Sequence, residues 1–347
     1  QFLDARPQDK PFYFWAGIIE PHGPWGPDNH KEIGLGLDKV KLPGFVPDTP
    51  GVRRERANYL YEVQHADRTL AALLKLLEER GELANTLVIV TADNGTSLAR
   101  AKTHLYDWGV RVPLAMMWPA RAPAGRTVGD FMGFPDLAPT ILEAAGLPVP
   151  PEMSGRSVLK TLLATSSGRV DPARDFTVNG LEWHGNLPPI DLAARMIRDD
   201  RFAYIVNYSS TPRYATSERG VQPDDRYAAN AEKLDVLPLL AAHPERPELQ
   251  RFIQLIRAPR PREELYDCIA DPDQLQNLAD KPEFAAAKQK LRTRLEAYQQ
   301  QTLDPRITGE MAIFAETLKL VEDRKAAGYA DTEANKVKAT KKEPKNR

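Results

Sequence analysis

Residues 86–119 contain a group of side chains that could do chemistry together. An apolar run ends at Asp93, Asn94 and Gly95, and Lys102 follows shortly before a second apolar run. A carboxylate beside a side-chain amide offers two hard oxygen donors, which suit Ca²⁺ or Mg²⁺. Gly95 lets the backbone turn away, and Lys102 could reach an anion held by that cation. Asp-Asn-Gly is also an ordinary turn signal, so spacing alone leaves both interpretations open.

A second candidate, His22, lies in the segment EPHGPWGPDNH, where the density of proline and glycine predicts an irregular loop. The loop follows PFYFWAGII, residues 11–19, whose aromatic and β-branched side chains predict a buried parallel strand. A histidine in such a loop could equally be an ordinary solvated side chain. Its position alone therefore assigns it no role.

The elements around these residues predict an α/β fold. Residues 48–81 form one long helical pattern, with Thr49 as its cap, Pro50 in its first turn and Gly81 at its end. TLVIVTA and VPLAMMW predict further buried strands, and PDLAPTILEAAGL predicts another helix. Continuous apolar strands that alternate with helices are typical of a mostly parallel sheet with helices on both faces. Ligands bind beyond the carboxyl ends of such strands, which is where Asp93 lies.

The pattern changes after residue 169. ARMIRDDRFAYIVNY predicts a hairpin with Asp199 and Asp200 at its turn, and EELYD predicts another strand. Amphipathic helices are expected near residues 282–301 and 309–327. We therefore expect three parts: an α/β part at residues 1–169, a smaller antiparallel sheet with helices at 170–328, and a basic, disordered tail at 329–347.

Composition excludes several classes of protein. The 347 residues carry a formal net charge of −1, which gives no reason to expect a nucleic-acid partner. No apolar run is long enough to span a bilayer. Cys268 is the single cysteine, so the printed chain has neither an internal disulfide nor a cysteine-rich metal site.

Four motifs in order resemble the type I sulfatase family, the formylglycine-dependent branch of the alkaline-phosphatase-like superfamily. They are PFYFWAGIIEPHGPW, the long helix with its following TLVIVTADNG, AKTHLYDWGVRVPLAMMWP, and EELYDCIADPDQLQNLAD. FVPDTPGVRRERANYL and RAKTHLYD are similar to the heparan N-sulfatase-like (sulfoglucosamine sulfohydrolase-like) members. Each motif alone is weak, but their order makes the combination specific.

The resemblance implies a sulfated carbohydrate substrate and one Ca²⁺ ion. Asp93 and Asn94 match two Ca²⁺ ligands, and Lys102 matches the basic residue that binds sulfate. His22 matches a histidine that contacts the sulfate or the leaving group. The family's nucleophile is the hydrate of a formylglycine that is made from Cys or Ser. A periplasmic, extracellular or lysosome-like compartment is implied as well.

Weaker candidates each have an ordinary explanation. Arg100 could orient sulfate, His104 could point into the pocket, and His184 in GLEWHGN could recognise a sugar, but each could also be a loop or packing residue. His65 and Asp67 are expected at the surface or in helix packing, and His30 and His243 are expected at the surface.

The printed chain has no C/S-x-P-x-R motif, and Cys268 lacks the following Pro and Arg, so Cys268 is interpreted as a packing residue. The expectation is a C-terminal sulfatase portion whose formylglycine and remaining Ca²⁺ ligands lie in an upstream segment. Such a portion should bind Ca²⁺ weakly, catalyse nothing alone and aggregate. The alternatives are a phosphodiesterase or phosphonate hydrolase of the same superfamily, and a non-catalytic sulfoglycan-binding remnant.

Overall fold

The computed structural model describes residues 2–7, 9–23, 25–184, 190–210 and 236–326. Within these ranges the α-helices are α1 Phe2–Ala5, α2 Pro50–Glu79, α3 Asp107–Val110, α4 Leu137–Ala144, α5 Leu159–Leu163, α6 Val236–Ala242, α7 Gln250–Arg257, α8 Ala285–Gln301, α9 Pro305–Thr308 and α10 Ala312–Ala326. The strands are β1 Val88–Thr91, β2 Leu114–Met117, β3 Phe176–His184, β4 Ile190–Asp199, β5 Phe202–Asn207 and β6 Glu263–Asp267.

Helix α2 confirms the predicted ends. The Thr49 hydroxyl accepts a hydrogen bond from the Val52 amide at 3.3 Å, and Pro50 occupies the first helical position. Gly81 takes a left-handed φ of 70° just after the helix, a conformation that glycine adopts without a Cβ penalty. The 30-residue helix thereby gains a fixed start and a fixed end.

The strands of the first half differ from the prediction. β1 and β2 pair antiparallel, from Val88 opposite Met117 to Thr91 opposite Leu114, and they are only partly buried. The prediction that these two are buried parallel strands is therefore wrong. Residues 11–19 form no strand at all, and the Trp15 side chain is 76% exposed. A strand needs a neighbour for its backbone hydrogen bonds, and among the described residues this segment has none.

The second half contains the predicted antiparallel sheet, in the order β3-β4-β5-β6. Asp199 makes the hairpin turn by accepting hydrogen bonds from the amides of Arg201 and Phe202 at 3.0 and 2.8 Å. α8 covers one face of the sheet and contributes Leu291 and Leu295 to its core. The predicted hairpin, the EELYD strand and the following helices are confirmed.

The two halves share their cores. Leu105 and Tyr106, which follow the Lys102 segment, pack against Met196 and Tyr266 of the four-stranded sheet. The boundary predicted at residue 169 stays a prediction, and the predicted tail at 329–347 lies outside the described residues. None of the helices in the described ranges is long and apolar enough to cross a membrane.

Candidate active site

Asp93 and Asn94 lie just beyond the end of β1. Asp93 is exposed, and its Oδ1 accepts a hydrogen bond from the Asn94 amide at 2.9 Å. Asn94 donates its side-chain nitrogen to the Gly95 carbonyl at 2.7 Å. That bond uses the nitrogen of the side-chain amide and not its oxygen. The tip of the strand thus presents a carboxylate and an amide oxygen, as the sequence predicted.

Gly95 is required by a close approach of two backbone segments. Its amide donates to the Gly109 carbonyl at 2.8 Å. A Cβ at Gly95 would overlap the carbonyl oxygen of Trp108 and press on the Cα of Gly109. These neighbours are backbone atoms, which cannot swing aside as a flexible side chain can. Gly95 therefore fixes the distance between the strand tip and the α3 segment.

Lys102 is presented by a tightly constrained loop. Its amide donates to the Thr96 carbonyl at 3.0 Å, and its own carbonyl lies 3.0 Å from His104 Nδ1. Arg100 and Thr103, on either side of it, have left-handed φ values of 64° and 70°. Non-glycine residues adopt that region at a cost and keep it only when their surroundings hold them there. The loop therefore fixes the Lys102 backbone from both sides.

Arg100 and His104 hold this loop from the interior. Both are only 2% exposed. The Arg100 guanidinium lies 3.8 Å from the centre of the Tyr106 ring and donates to the Gln274 carbonyl. The His104 ring stacks on the same Tyr106 ring, with 5.6 Å between centroids. Neither side chain lines the cleft that Lys102 faces, so both are placed to position Lys102 and not to touch a ligand.

A buried carboxylate anchors Tyr106 in turn. Glu264 is 1% exposed and accepts hydrogen bonds from Tyr106 and Tyr266 at 2.7 and 2.6 Å and from Asn207 at 2.7 Å. Burial alone would raise the pKa of Glu264, but the charge of Arg260 and these donors outweigh it and lower the pKa. Sequence reasoning missed this cluster. Its one signal is a glutamate within the apolar strand pattern of EELYD.

His22 is exposed, and its Nδ1 lies 2.6 Å from the Gly23 carbonyl oxygen. A carbonyl only accepts, so Nδ1 carries the proton of that bond and Nε2 is left for exchange. Trp25 fixes the loop by donating its indole N–H to the Pro21 carbonyl at 2.9 Å. The Trp25 ring also packs on Tyr59 of α2, with centroids 5.8 Å apart.

The strongest candidates line one open cleft of about 3160 Å³. Its lining includes His22, Asp93, Asn94 and Lys102. The donor chemistry of Asp93 and Asn94 fits Ca²⁺, which takes six to eight oxygen ligands. Two donors are too few for a complete site, and the described residues contain no group of three or more His, Cys, Asp or Glu that could hold a metal.

Apart from His22, none of the histidines whose side chains the structure describes lines the cleft. His30 was predicted at the surface, but it is 4% exposed and hydrogen-bonds Asn58 at 2.8 Å, so that prediction is wrong. His243 lies 3.6 Å from Glu245. His184 ends β3, and its side chain lies outside the described residues.

Cys268 is buried, as the packing interpretation requires. Burial raises the pKa of its thiol to about 12. At neutral pH the side chain is therefore a thiol and not a thiolate, which is the nucleophilic form.

Comparison with known proteins places this site in a family. The family described as Sulfatase matches residues 1–147, and the family described as N-sulphoglucosamine sulphohydrolase, C-terminal, matches residues 100–219. The two matches overlap at the Lys102 loop. Residues 1–219 of the chain are thus matched by these two sulfatase family models.

Its relatives are distant and longer. An ulvan-active sulfatase of Formosa agariphila is 28% identical over 267 residues, which cover 75% of this chain and 40% of that protein. Human N-sulphoglucosamine sulphohydrolase is 27% identical over 352 residues, which cover 92% of this chain and 66% of that protein. The chain thus spans between two fifths and two thirds of the length of these relatives.

Solved structures give the fold. A Bacteroides thetaiotaomicron sulfatase from a glycosaminoglycan-metabolism locus has a TM-score of 0.62 at 19% identity, covering 89% of this chain and 58% of that one. A sulfatase structure from Bacteroides fragilis has a TM-score of 0.57 at 17% identity, covering 81% and 52%. The fold class is therefore the alkaline-phosphatase-like α/β fold of sulfatases, as predicted.

Proposed function

We propose that this chain forms the sulfate-recognition wall, and part of the Ca²⁺ site, of a sulfatase that acts on sulfated glycans. The observation that carries the proposal is that His22, Asp93, Asn94 and Lys102 all line one cleft. The match to the N-sulphoglucosamine sulphohydrolase C-terminal family over the Lys102 loop favours a sulfamate or a sulfate ester of an amino sugar as the substrate.

Each residue has a separate task in this proposal. Lys102 binds a sulfate oxygen as a compact cation, and its charge matters most when negative charge grows on the leaving group. His22 exchanges a proton at Nε2 with the departing oxygen or nitrogen, because Nδ1 is engaged with Gly23. Asp93 and Asn94 would give oxygen ligands to Ca²⁺, which would supply positive charge beside the sulfate, and a formylglycine hydrate would supply the nucleophile.

Binding of a sulfated sugar to the 347-residue chain tests this proposal. Titration calorimetry with N-sulfoglucosamine and with glucosamine should show binding of the sulfated sugar only. Lys102→Ala should weaken that binding about tenfold, the scale of one charged hydrogen bond. The exposed Lys75 on α2 gives the matched control Lys75→Ala, which should bind like the wild type.

Equal binding of both sugars by the wild type would contradict the proposal. Turnover is a second measurement. The printed residues contain no C/S-x-P-x-R motif, so we expect hydrolysis of N-sulfoglucosamine only from a longer reading frame that contains this chain and that motif. Hydrolysis by the 347 residues alone would show that the nucleophile is misassigned.

A further inference from the structure

Arg56 on α2 is a cation that forms no ion pair within the described part of the chain. It is half-buried. Its Nε is buried without a hydrogen-bond partner. Burial lowers the pKa of Arg56, and Tyr59 and the charge of the neighbouring Glu55 offset this only in part. Removing a positive charge from water costs free energy unless an opposite charge lies close to it. The position of Arg56 therefore favours the binding of an anion.

The surroundings aim the guanidinium at the site. Its carbon lies 4.7 Å from the centre of the Tyr59 ring and 5.5 Å from that of Trp108. One of its nitrogens is 3.5 Å from the Thr96 hydroxyl. Thr96 is the residue whose carbonyl accepts the Lys102 amide. Arg56 therefore lies beside the loop that presents Lys102.

Tyr59 links the same group to the other loop of the site. Its ring packs on Trp25, which closes the loop that carries His22. Trp108 is held by its own hydrogen bond, from the indole nitrogen to Asp273 at 2.9 Å. Both aromatic neighbours of Arg56 are thus anchored, and Arg56, Tyr59 and Trp108 all line the cleft.

We propose that Arg56 binds a second anionic group of the substrate, distinct from the sulfate that Lys102 holds. This inference rests on the proposed function, which it makes more specific. The planar fork of a guanidinium matches a carboxylate or a sulfate with two parallel hydrogen bonds. The substrate class is then a sugar with two anions, carried either as a second sulfate or as the carboxylate of a neighbouring uronate.

Three ligands separate these sources: N-sulfoglucosamine, glucosamine 2-N,6-O-disulfate, and an N-sulfated disaccharide that contains a uronate. The wild-type chain should bind at least one of the two doubly anionic ligands about tenfold more tightly than N-sulfoglucosamine. Arg56→Gln should remove that advantage and leave N-sulfoglucosamine binding unchanged. Arg56→Lys, which keeps the charge without the fork, should restore only part of it.

Arg68 provides the matched control, because it lies on the same helix with its guanidinium 5.9 Å from the Tyr61 ring and does not line the cleft. Arg68→Gln should keep the full advantage, and thermal melting should show that each variant is folded. A wild type without any advantage for two anions, or an Arg56→Gln variant that retains it, overturns the inference.

The outcomes also separate this inference from the proposed function. Lys102→Ala should weaken all three ligands, whereas Arg56→Gln should weaken only the doubly anionic ones. If Lys102→Ala changes nothing, the proposed function fails while the Arg56 comparison still stands.

If the wild type binds no sugar, inorganic sulfate becomes the probe. If adding sulfate changes the tryptophan fluorescence of the wild type but not that of Arg56→Gln, the result supports the anion site. The same change in both proteins refutes it.

Discussion

At the scale of single residues, Lys102 and Asp93 should separate sulfate binding from metal binding. In a complete enzyme containing this chain, Lys102→Ala should lower kcat/KM by about 10²–10³, the effect of removing one transition-state charge stabiliser. Its Ca²⁺ affinity should stay nearly intact, because Lys102 donates no oxygen. If Asp93 helps to hold Ca²⁺ in that enzyme, Asp93→Ala should lose Ca²⁺ affinity and activity together. Calorimetric Ca²⁺ titration beside steady-state kinetics measures both, and loss of Ca²⁺ in the lysine variant would contradict the assignment.

His22 should be most important with poor leaving groups. A protonated leaving group departs more easily, and the need for a proton is greatest when the departing atom is basic. His22→Ala should therefore reduce turnover of a sugar sulfate or sulfamate much more than turnover of an activated aryl sulfate. Steady-state kinetics on both substrates decides the matter. Equal losses would leave His22 as a sulfate contact without a proton-transfer role.

Residue chemistry was predictable only where the motif itself carried it. Asp93, Asn94 and Lys102 could be proposed because a strand tip and a family motif coincide. Arg100 was predicted as a ligand contact, yet its side chain packs on Tyr106 in the interior. Local sequence does not distinguish those two fates, because the carbonyl groups to which Arg100 donates, those of Leu255 and Gln274, lie more than 150 residues away in the chain. Arg56 was missed because it looks like any arginine of an amphipathic helix.

At the scale of elements, the contact between the strand tip and α3 should tolerate no side chain at Gly95. Gly95→Ala would drive a Cβ into the Trp108 carbonyl, and overpacking of this kind costs about 1–3 kcal/mol. The free energy of unfolding should fall by that amount, and sulfate binding through Lys102 should weaken as the loop shifts. Denaturant unfolding and calorimetry measure the two effects.

Gly129 is the control for that substitution. A Cβ there would meet its nearest neighbour, in Gly168, at 3.5 Å, which is an ordinary contact. Gly129→Ala should therefore change neither stability nor binding by a comparable amount. If the two variants behaved alike, the close approach at Gly95 would not be what fixes the loop.

Elements whose signals are local were predictable. The cap at Thr49, the left-handed Gly81 and the turn at Asp199 each depend on residues only a few positions away. The local sequence is therefore enough to predict them. The pairing of β1 with β2 is different, because an apolar run does not say which neighbour it will meet or in which direction. Residues 11–19 show the same limit: their composition suits a strand, but composition does not provide a partner.

At the scale of the whole molecule, polar contacts join the two halves behind the site. Asp107 pairs with Arg198 of β4 at 3.0 Å, and its amide donates to the Gln274 side chain at 2.6 Å. Trp108 bonds Asp273, which also accepts the Gly44 amide at 2.8 Å. These partners are far apart in sequence, which is why sequence patterns gave no sign of them. The position of the Lys102 loop therefore depends on contacts with segments from both halves of the folded chain.

The Glu264 cluster lies at this junction, so its charge should stabilise the whole fold. Because the pKa of Glu264 is lowered from its ordinary 4.5, its ionised form favours the folded state above about pH 4.5, and that contribution is lost as pH falls through the folded-state pKa. Glu264→Gln should therefore lower the free energy of unfolding by about 1–3 kcal/mol at pH 7. The deficit relative to wild type should shrink below pH 4.5.

Denaturant unfolding of the wild type and Glu264→Gln at several pH values measures that trend. Glu296 is a suitable control, because its side chain is 47% exposed and pairs with Arg292 on the surface of α8. Glu296→Gln should change stability by less than about 0.5 kcal/mol at any pH. A Glu264→Gln deficit that is unchanged or larger in acid would mean that the carboxylate is not ionised in the folded protein. Its three hydrogen-bond donors would then bind a protonated, neutral carboxyl group. Tyr106 and the Lys102 loop would in that case be held by hydrogen bonds between neutral groups, without a contribution from the charge of Glu264.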